Sequence, residues 1–126
     1  MKKFVVLAIV NAALLGAGLA YLHSQTAPPQ SLRTPQFENE DVRVWKTVVT
    51  PHNPLAMHRH EHPRIIIPLA GGTMKIFEQD GQTTVHSWET GKAYWLPASP
   101  PNTMHSDVNA GDKPIEVMVV ELKKES

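Results

Sequence analysis

The sequence predicts an all-β domain, an antiparallel barrel of jelly-roll arrangement, behind an N-terminal hydrophobic export or anchor helix. Three observations predict it. Short runs rich in β-branched residues recur along the chain with Gly, Pro, Asn or Asp between them, the spacing of a sandwich or barrel. Asp80-Gly81 separates two of these runs and is a strong two-residue hairpin signal. No segment of the domain carries an apolar period of helical length.

Taken in order, residues 1–22 read as a targeting segment. Met1-Lys2-Lys3 is a positive start, Phe4 to Leu15 is apolar apart from Asn11, and Gly18 and Ala20 are the small residues of a cleavage site before Tyr21. Cleavage there is favoured over retention as an anchor, although 19 residues from Phe4 to Leu22 are enough to span a bilayer. With Lys2 and Lys3 on the cytoplasmic side, either outcome leaves the domain outside the cytoplasm. The expected location is periplasmic or secreted, or held at the inner membrane with the domain on its outer side. Residues 23–36 (HSQTAPPQSLRTPQ) are rich in Pro, Ser, Thr and Gln and read as a flexible linker.

The domain then occupies residues 37–126. Asp41 to Thr50 (DVRVWKTVVT) is a strand broken by Pro51-His52-Asn53-Pro54. Met57 to His62 reads as a second extended run, stopped by Pro63. Arg64 to Ala70 (RIIIPLA) is strongly β, and Gly71-Gly72 turns it. Thr73 to Gln79 and Gln82 to Glu89 form the Asp80-Gly81 hairpin. Ala93 to Pro97, Met104 to Asn109 and Pro114 to Lys123 (PIEVMVVELK) complete the set. Closing about eight strands from so short a domain into a barrel limits its exposed edges.

The charge balance excludes some classes of partner. The chain carries 12 basic and 12 acidic residues; without Lys2 and Lys3 the balance is 10 against 12, a net of −2. Arg43, Lys46, Arg59, Arg64, Lys75 and Lys92 are dispersed, so no patch faces a run of phosphates and no nucleic-acid partner is expected. Cysteine is absent, so a small exported domain must rely on its core, on assembly or on a ligand.

Seven histidines are the conspicuous chemistry, and four lie between His52 and His62. His58, His60 and His62 alternate. On an extended chain residues two apart share a face, so His58 and His60 would present two imidazoles together. That pair suits a divalent ion such as Fe, Mn, Ni, Zn or Cu. His62 has the same parity, but Pro63 redirects the chain after it, and it reads as a surface residue before a ligand; Glu61 is a further substitute ligand. His86 lies mid-strand, away from this cluster. Trp45, Trp88, Tyr94 and Trp95 read as core or interface aromatics, with one of Tyr94 and Trp95 as a minor candidate for the pocket mouth. No Ser87, Ser99 or Ser106 has the setting of a nucleophile, and Gly71-Gly72 and Gly91 read as turn glycines rather than a phosphate loop.

The stretch MHRHEHPRIIIPLAGG resembles the first cupin motif, in which two His one residue apart are followed by a Glu and then a Gly. His58, His60 and Gly71 fall at matching positions. GKAYWLPASPPNTMHSDVN resembles the second, with Gly91, Pro97, His105 and Asn109. The resemblance covers roughly Val42 to Leu122 and is to the small single-domain, exported bacterial cupins with an RmlC-like jelly roll. It implies a pocket in the barrel with His58, His60 and His105 as metal ligands. Two departures qualify it. Arg64 stands in the Glu position, where it cannot bind a cation but suits a carboxylate or other anion. The loop before His105 is about three residues longer than usual, and Asn102 holds the nominal His position when that insertion is ignored.

Three functional readings follow. The leading one is a binding module whose pocket of Arg64, His58, His60 and His105 takes a small, anionic molecule. The alternative is a metal-dependent enzyme, dioxygenase- or isomerase-like, with one divalent ion on His58, His60 and His105. The third is a structural or interaction domain. The partners expected are a small-molecule ligand, a second copy in a homodimer, and the membrane only through residues 1–22 if they are retained.

Overall fold

The computed structural model describes residues 31–124. The export segment, residues 1–22, and most of the expected linker lie outside them. Eight strands follow one another: β1 (Leu32–Glu38), β2 (Val42–Val49), β3 (Arg64–Ala70), β4 (Gly72–Glu78), β5 (Thr83–Trp88), β6 (Tyr94–Leu96), β7 (His105–Asn109) and β8 (Ile115–Leu122). They form a five-stranded sheet in the order β1-β2-β8-β3-β6 and a three-stranded sheet in the order β5-β4-β7. Every ladder is antiparallel.

The last strand sits at the centre of the larger sheet because its sequence alternates cleanly. Ile115, Val117, Val119 and Glu121 are buried, while the residues between them are half-buried on the other face. The inward residues join Trp45, Val49 and Ile66 from the same sheet and Met74 and Trp88 from the smaller one in a single core. Each such side chain contributes about 1.5–3 kcal/mol on burial. At one end of the sandwich the inward positions turn polar. Arg43 stands opposite Glu121, and Glu121 opposite Arg64, so three charged residues run in register across β2, β8 and β3. Glu121 and Arg64 are each only 8% exposed. The barrel is open there.

Four sequence expectations change. Leu32–Gln36, read as linker, belong to β1, which pairs along β2 from Leu32↔Val48 to Glu38↔Arg43. All seven side chains of β1 are exposed, so it has no apolar alternation to betray it; backbone pairing holds it. It is an edge strand, where Pro35 is tolerated, and the ladder slips between Pro35 and Phe37. Residues 57–62 are not a strand but a loop with one isolated bridge, His58↔His105.

The Asp80-Gly81 hairpin forms, but its ladder closes at Phe77↔Thr83, and a Glu78 N to Gln82 O bond of 2.8 Å sets a wider turn. Gly81 takes φ +90°, the conformation that makes Gly suit this turn. Gly71, read as a turn glycine, is needed for close approach instead. A Cβ there would stand 2.1 Å from the Trp88 carbonyl oxygen, where the chain passes from one sheet to the other.

Candidate metal and ligand site

The open end holds a cavity of about 600 Å³, within the range of small-molecule sites. Aliphatic and aromatic side chains floor it, including Trp45, Ile66, Met74 and Trp88, and polar groups converge at its mouth: Arg33, Arg64, His58, His60, Asp107 and Glu121.

The histidines come from two places in the chain. His58 and His60 ride on the loop between β2 and β3; His105 opens β7. Backbone pairing sets their relative positions. His58 N donates to His105 O at 2.9 Å, and His105 N returns a bond to His58 O at 2.8 Å. His60 is fastened the same way to the long loop after β6: its N–H donates to Ser99 Oγ at 2.9 Å, and Ser99 N donates to His60 O at 2.8 Å. The lengthened SPPNTM loop therefore contributes an anchor rather than displacing the site. His105 occupies the cluster, while Asn102 is exposed at φ +59°.

The three rings meet. His58 and His60 centroids are 4.8 Å apart, His58 and His105 4.6 Å, His60 and His105 5.2 Å. One nitrogen from each lies within 4.8 Å of the others. His58 Nδ1 sits 2.7 Å from the Ala56 carbonyl oxygen, so that nitrogen carries the proton and Nε2 presents a lone pair. That Nε2 is 3.1 Å from His60 Nε2. His105 Nε2 is buried without a hydrogen-bond partner among the described residues. A buried orphan nitrogen beside two converging imidazoles fits a divalent cation.

Electrostatics keep His60 and His105 neutral. Burial pushes the His60 imidazole down to about 2, helped by the positive charge of Arg64, by His58 and His105, and by Arg33. Burial also lowers His105, against the opposing pull of Asp107. Neutral imidazole is the ligating form. Arg64 is itself lowered to about 10, chiefly by desolvation, with Asp107 and Glu121 holding its charge. Its Nη1 donates to the Pro97 carbonyl at 3.4 Å, and the residue lines the cavity.

His62 lines the cavity but stands outside the three-histidine group, and its Nδ1 is buried without a hydrogen-bond partner among the described residues. It is half-buried rather than on the surface. Glu61 is exposed and paired with Arg59 at 2.8 Å, which takes it away from the cluster. His86 stacks on Trp88 in β5, with centroids 5.2 Å apart, remote from the site. Trp45 and Trp88 are core residues, Tyr94 packs beneath them, and Trp95 points outward at 57% exposure. Neither Tyr94 nor Trp95 lines the cavity.

Sequence reasoning missed Arg33, Glu121 and Asp107. Arg33 lay in the supposed linker; its guanidinium rests 3.9 Å above the Trp45 ring. Glu121 was the one polar inward position in the alternation of β8. Asp107 follows His105 at the same two-residue spacing that marked His58 and His60.

The architecture matches solved structures along nearly the whole domain. A cupin domain from Bordetella pertussis superposes with a TM-score of 0.67 at 23% identity, covering 76% of this chain and 96% of that one. The fold is that of a cupin. An RmlC-like cupin with a double-stranded β-helix from Methanocaldococcus jannaschii has a TM-score of 0.57 at 17% identity, over 78% of this chain and 84% of that one. Among curated sequences, the β-alanine degradation protein BauB of Pseudomonas aeruginosa is 27% identical over 95 residues, 75% of this chain and 96% of that protein. No family model matches the chain. On the cupin barrel the site described above occupies the open mouth, with the two motif segments supplying His58, His60 and His105.

Proposed function

We propose that this cupin-fold protein binds one divalent metal ion on His58, His60 and His105 and takes a small anionic molecule beside it, against Arg64. The observation that carries the reading is the convergence of three imidazoles, one with an orphaned buried nitrogen, beside the cavity that His58 and His60 line. When bound there, the ion would supply a Lewis acid able to polarise an oxygen of the ligand. The chain's own groups do the rest. Arg64, desolvated and planar, can grip a carboxylate through two parallel N–H bonds. The apolar floor from Trp45 to Met74 strips water from the body of the ligand, so that each polar contact at the mouth is made in a low dielectric. The curated relative's name ties it to degradation of β-alanine, a small molecule with a carboxylate, and that class of ligand fits an arginine at this position.

Metal analysis of untagged protein, beside a variant carrying His58→Ala and His60→Ala, tests the ion. Stoichiometric metal that disappears in the variant is the expected result. If no metal binds after reconstitution with Fe²⁺, Mn²⁺, Ni²⁺ and Zn²⁺, the arginine-lined pocket alone is left as the binding site. Arg64 favours that second reading, because its positive charge beside His60 opposes a cation.

Export remains part of the proposal, supported by Lys2-Lys3 and the apolar run after them. The mass of the protein recovered from its host distinguishes cleavage before Tyr21 from retention.

A further inference from the structure

β7 repeats the alternation that brings His58 and His60 together. His105 and Asp107 are two apart on a five-residue strand and so project from the same face. Asp107 Oδ2 lies 3.3 Å from His58 Nε2 and 3.6 Å from His105 Nε2, with its side chain only 14% exposed. A carboxylate removed from water needs a donor or a cation. The nearer imidazole, His58, does not supply a donor in its neutral form. His58 spends its proton on the Ala56 carbonyl, so the nitrogen facing Asp107 is a lone pair. His105 Nε2, on the other side, has no hydrogen-bond partner among the described residues.

The His58 lone pair and a carboxylate oxygen 3.3 Å from it repel each other unless something positive sits between them. Donors that share an ion at bond lengths of about 2.1 Å stand roughly 3.0–3.4 Å apart, from right-angled to tetrahedral. The His58–His60 and His58–Asp107 separations, 3.1 and 3.3 Å, fall in that range, and the His105–Asp107 separation of 3.6 Å is just beyond it.

We propose that Asp107, through Oδ2, is the fourth protein ligand of the ion, giving three imidazoles and one carboxylate. The inference rests on the metal reading above. It explains how the site tolerates Arg64 in place of a carboxylate: the negative charge has moved across the cavity, from the start of β3 to β7. There it neutralises one charge of the ion and also holds Arg64 charged. Arg64 is left free for the anionic ligand, and the two charged groups have separate duties.

The test uses the chain with its own N-terminal segment, untagged, loaded with Co²⁺ and compared with Asp107→Ala. The expected result is a changed Co²⁺ absorption spectrum and a loss of affinity beyond the roughly 10–100-fold typical of a group that only hydrogen-bonds to a ligand. An unchanged spectrum with a loss below that range overturns the inference and makes Asp107 a positioning residue. A second measurement needs no variant: in a crystal of the loaded protein, the anomalous peak should lie about 2.0–2.2 Å from Asp107 Oδ2. A peak on the three histidines but beyond bonding distance of Asp107 overturns this inference and leaves the metal reading standing. Absence of metal from the unmutated protein overturns both.

Discussion

Acidification is the perturbation that separates this site from three ordinary histidines. Protons compete with the ion for each imidazole, and the competition depends on each ring's own affinity for a proton. For an unperturbed imidazole at about 6.5, going from about pH 7 to about pH 5 costs roughly 1.4 decades of metal affinity, so three together cost about 4.2. His60 does not take part, because burial first, and then Arg64 and the neighbouring rings, hold it down to about 2. Taking that ring out removes about 1.4 of the roughly 4.2 decades, and the lowered His105 reduces the remainder further. The expected loss is therefore under three decades. A competition titration with a chromophoric chelator at the two pH values measures it directly. A loss of about four decades or more would show that His60 titrates as in solution, and the electrostatic account of the site would be wrong. Arg64→Gln supplies the internal control: removing that charge should raise the proton affinity of His60 and steepen the dependence.

Three more outcomes are expected. Without metal, stability should fall as pH drops below about 6.5, because the unfolded chain takes up the His60 proton before the folded one; the contribution is fully present above the unfolded value and is lost towards about 2, at no more than ~1.4 kcal/mol per pH unit and less after solvent screening. Urea midpoints that stay level down to about pH 4 would contradict this. Asn109 is fully buried, donates to Val49 O at 2.9 Å and Lys113 O at 2.7 Å, and accepts from Gly111 N at 2.9 Å. Asn109→Ala leaves those groups unpaired and should cost about 2–4 kcal/mol in urea unfolding; a cost under about 1 kcal/mol would remove it as the anchor of β7. Arg64→Gln should weaken calorimetric binding of a small carboxylate by about 10–100-fold, the worth of a charged hydrogen bond, and unchanged binding would place the anion elsewhere.

Much of the fold was legible in the chain. β-branched runs bounded by Gly, Pro and Asn gave seven of the segments, because strand pairing and one-sided burial leave a period of two in the residues themselves. Two of the segments were misread for the same physical reason: neither buries an apolar face. β1 is held by backbone bonds that any sequence can make, so Leu32–Glu38 looked like linker. Residues 57–62 carry polar groups to the mouth and are pinned by one bridge at His58 and by hydrogen bonds between His60 and Ser99, which no pattern of hydrophobicity records. Their parity argument still brought the right pair of rings together, since an extended loop alternates as a strand does.

The sequence by itself determined the candidates: an all-β cupin-like domain, His58 and His60 as neighbours, His105 as their distant companion, and Arg64 where a carboxylate was expected. Spacing along a strand is a local property and can be read from one segment. Tertiary structure alone decided what faces those residues. It brought Asp107 to 3.3 Å from His58 across a gap of 49 positions in the chain, and aligned Arg43, Glu121 and Arg64 across three strands. It also carried Arg33 from an edge strand onto Trp45. Which charge offsets which depends on register between strands far apart in sequence, and on how much water the cavity excludes. Neither is written in any one segment.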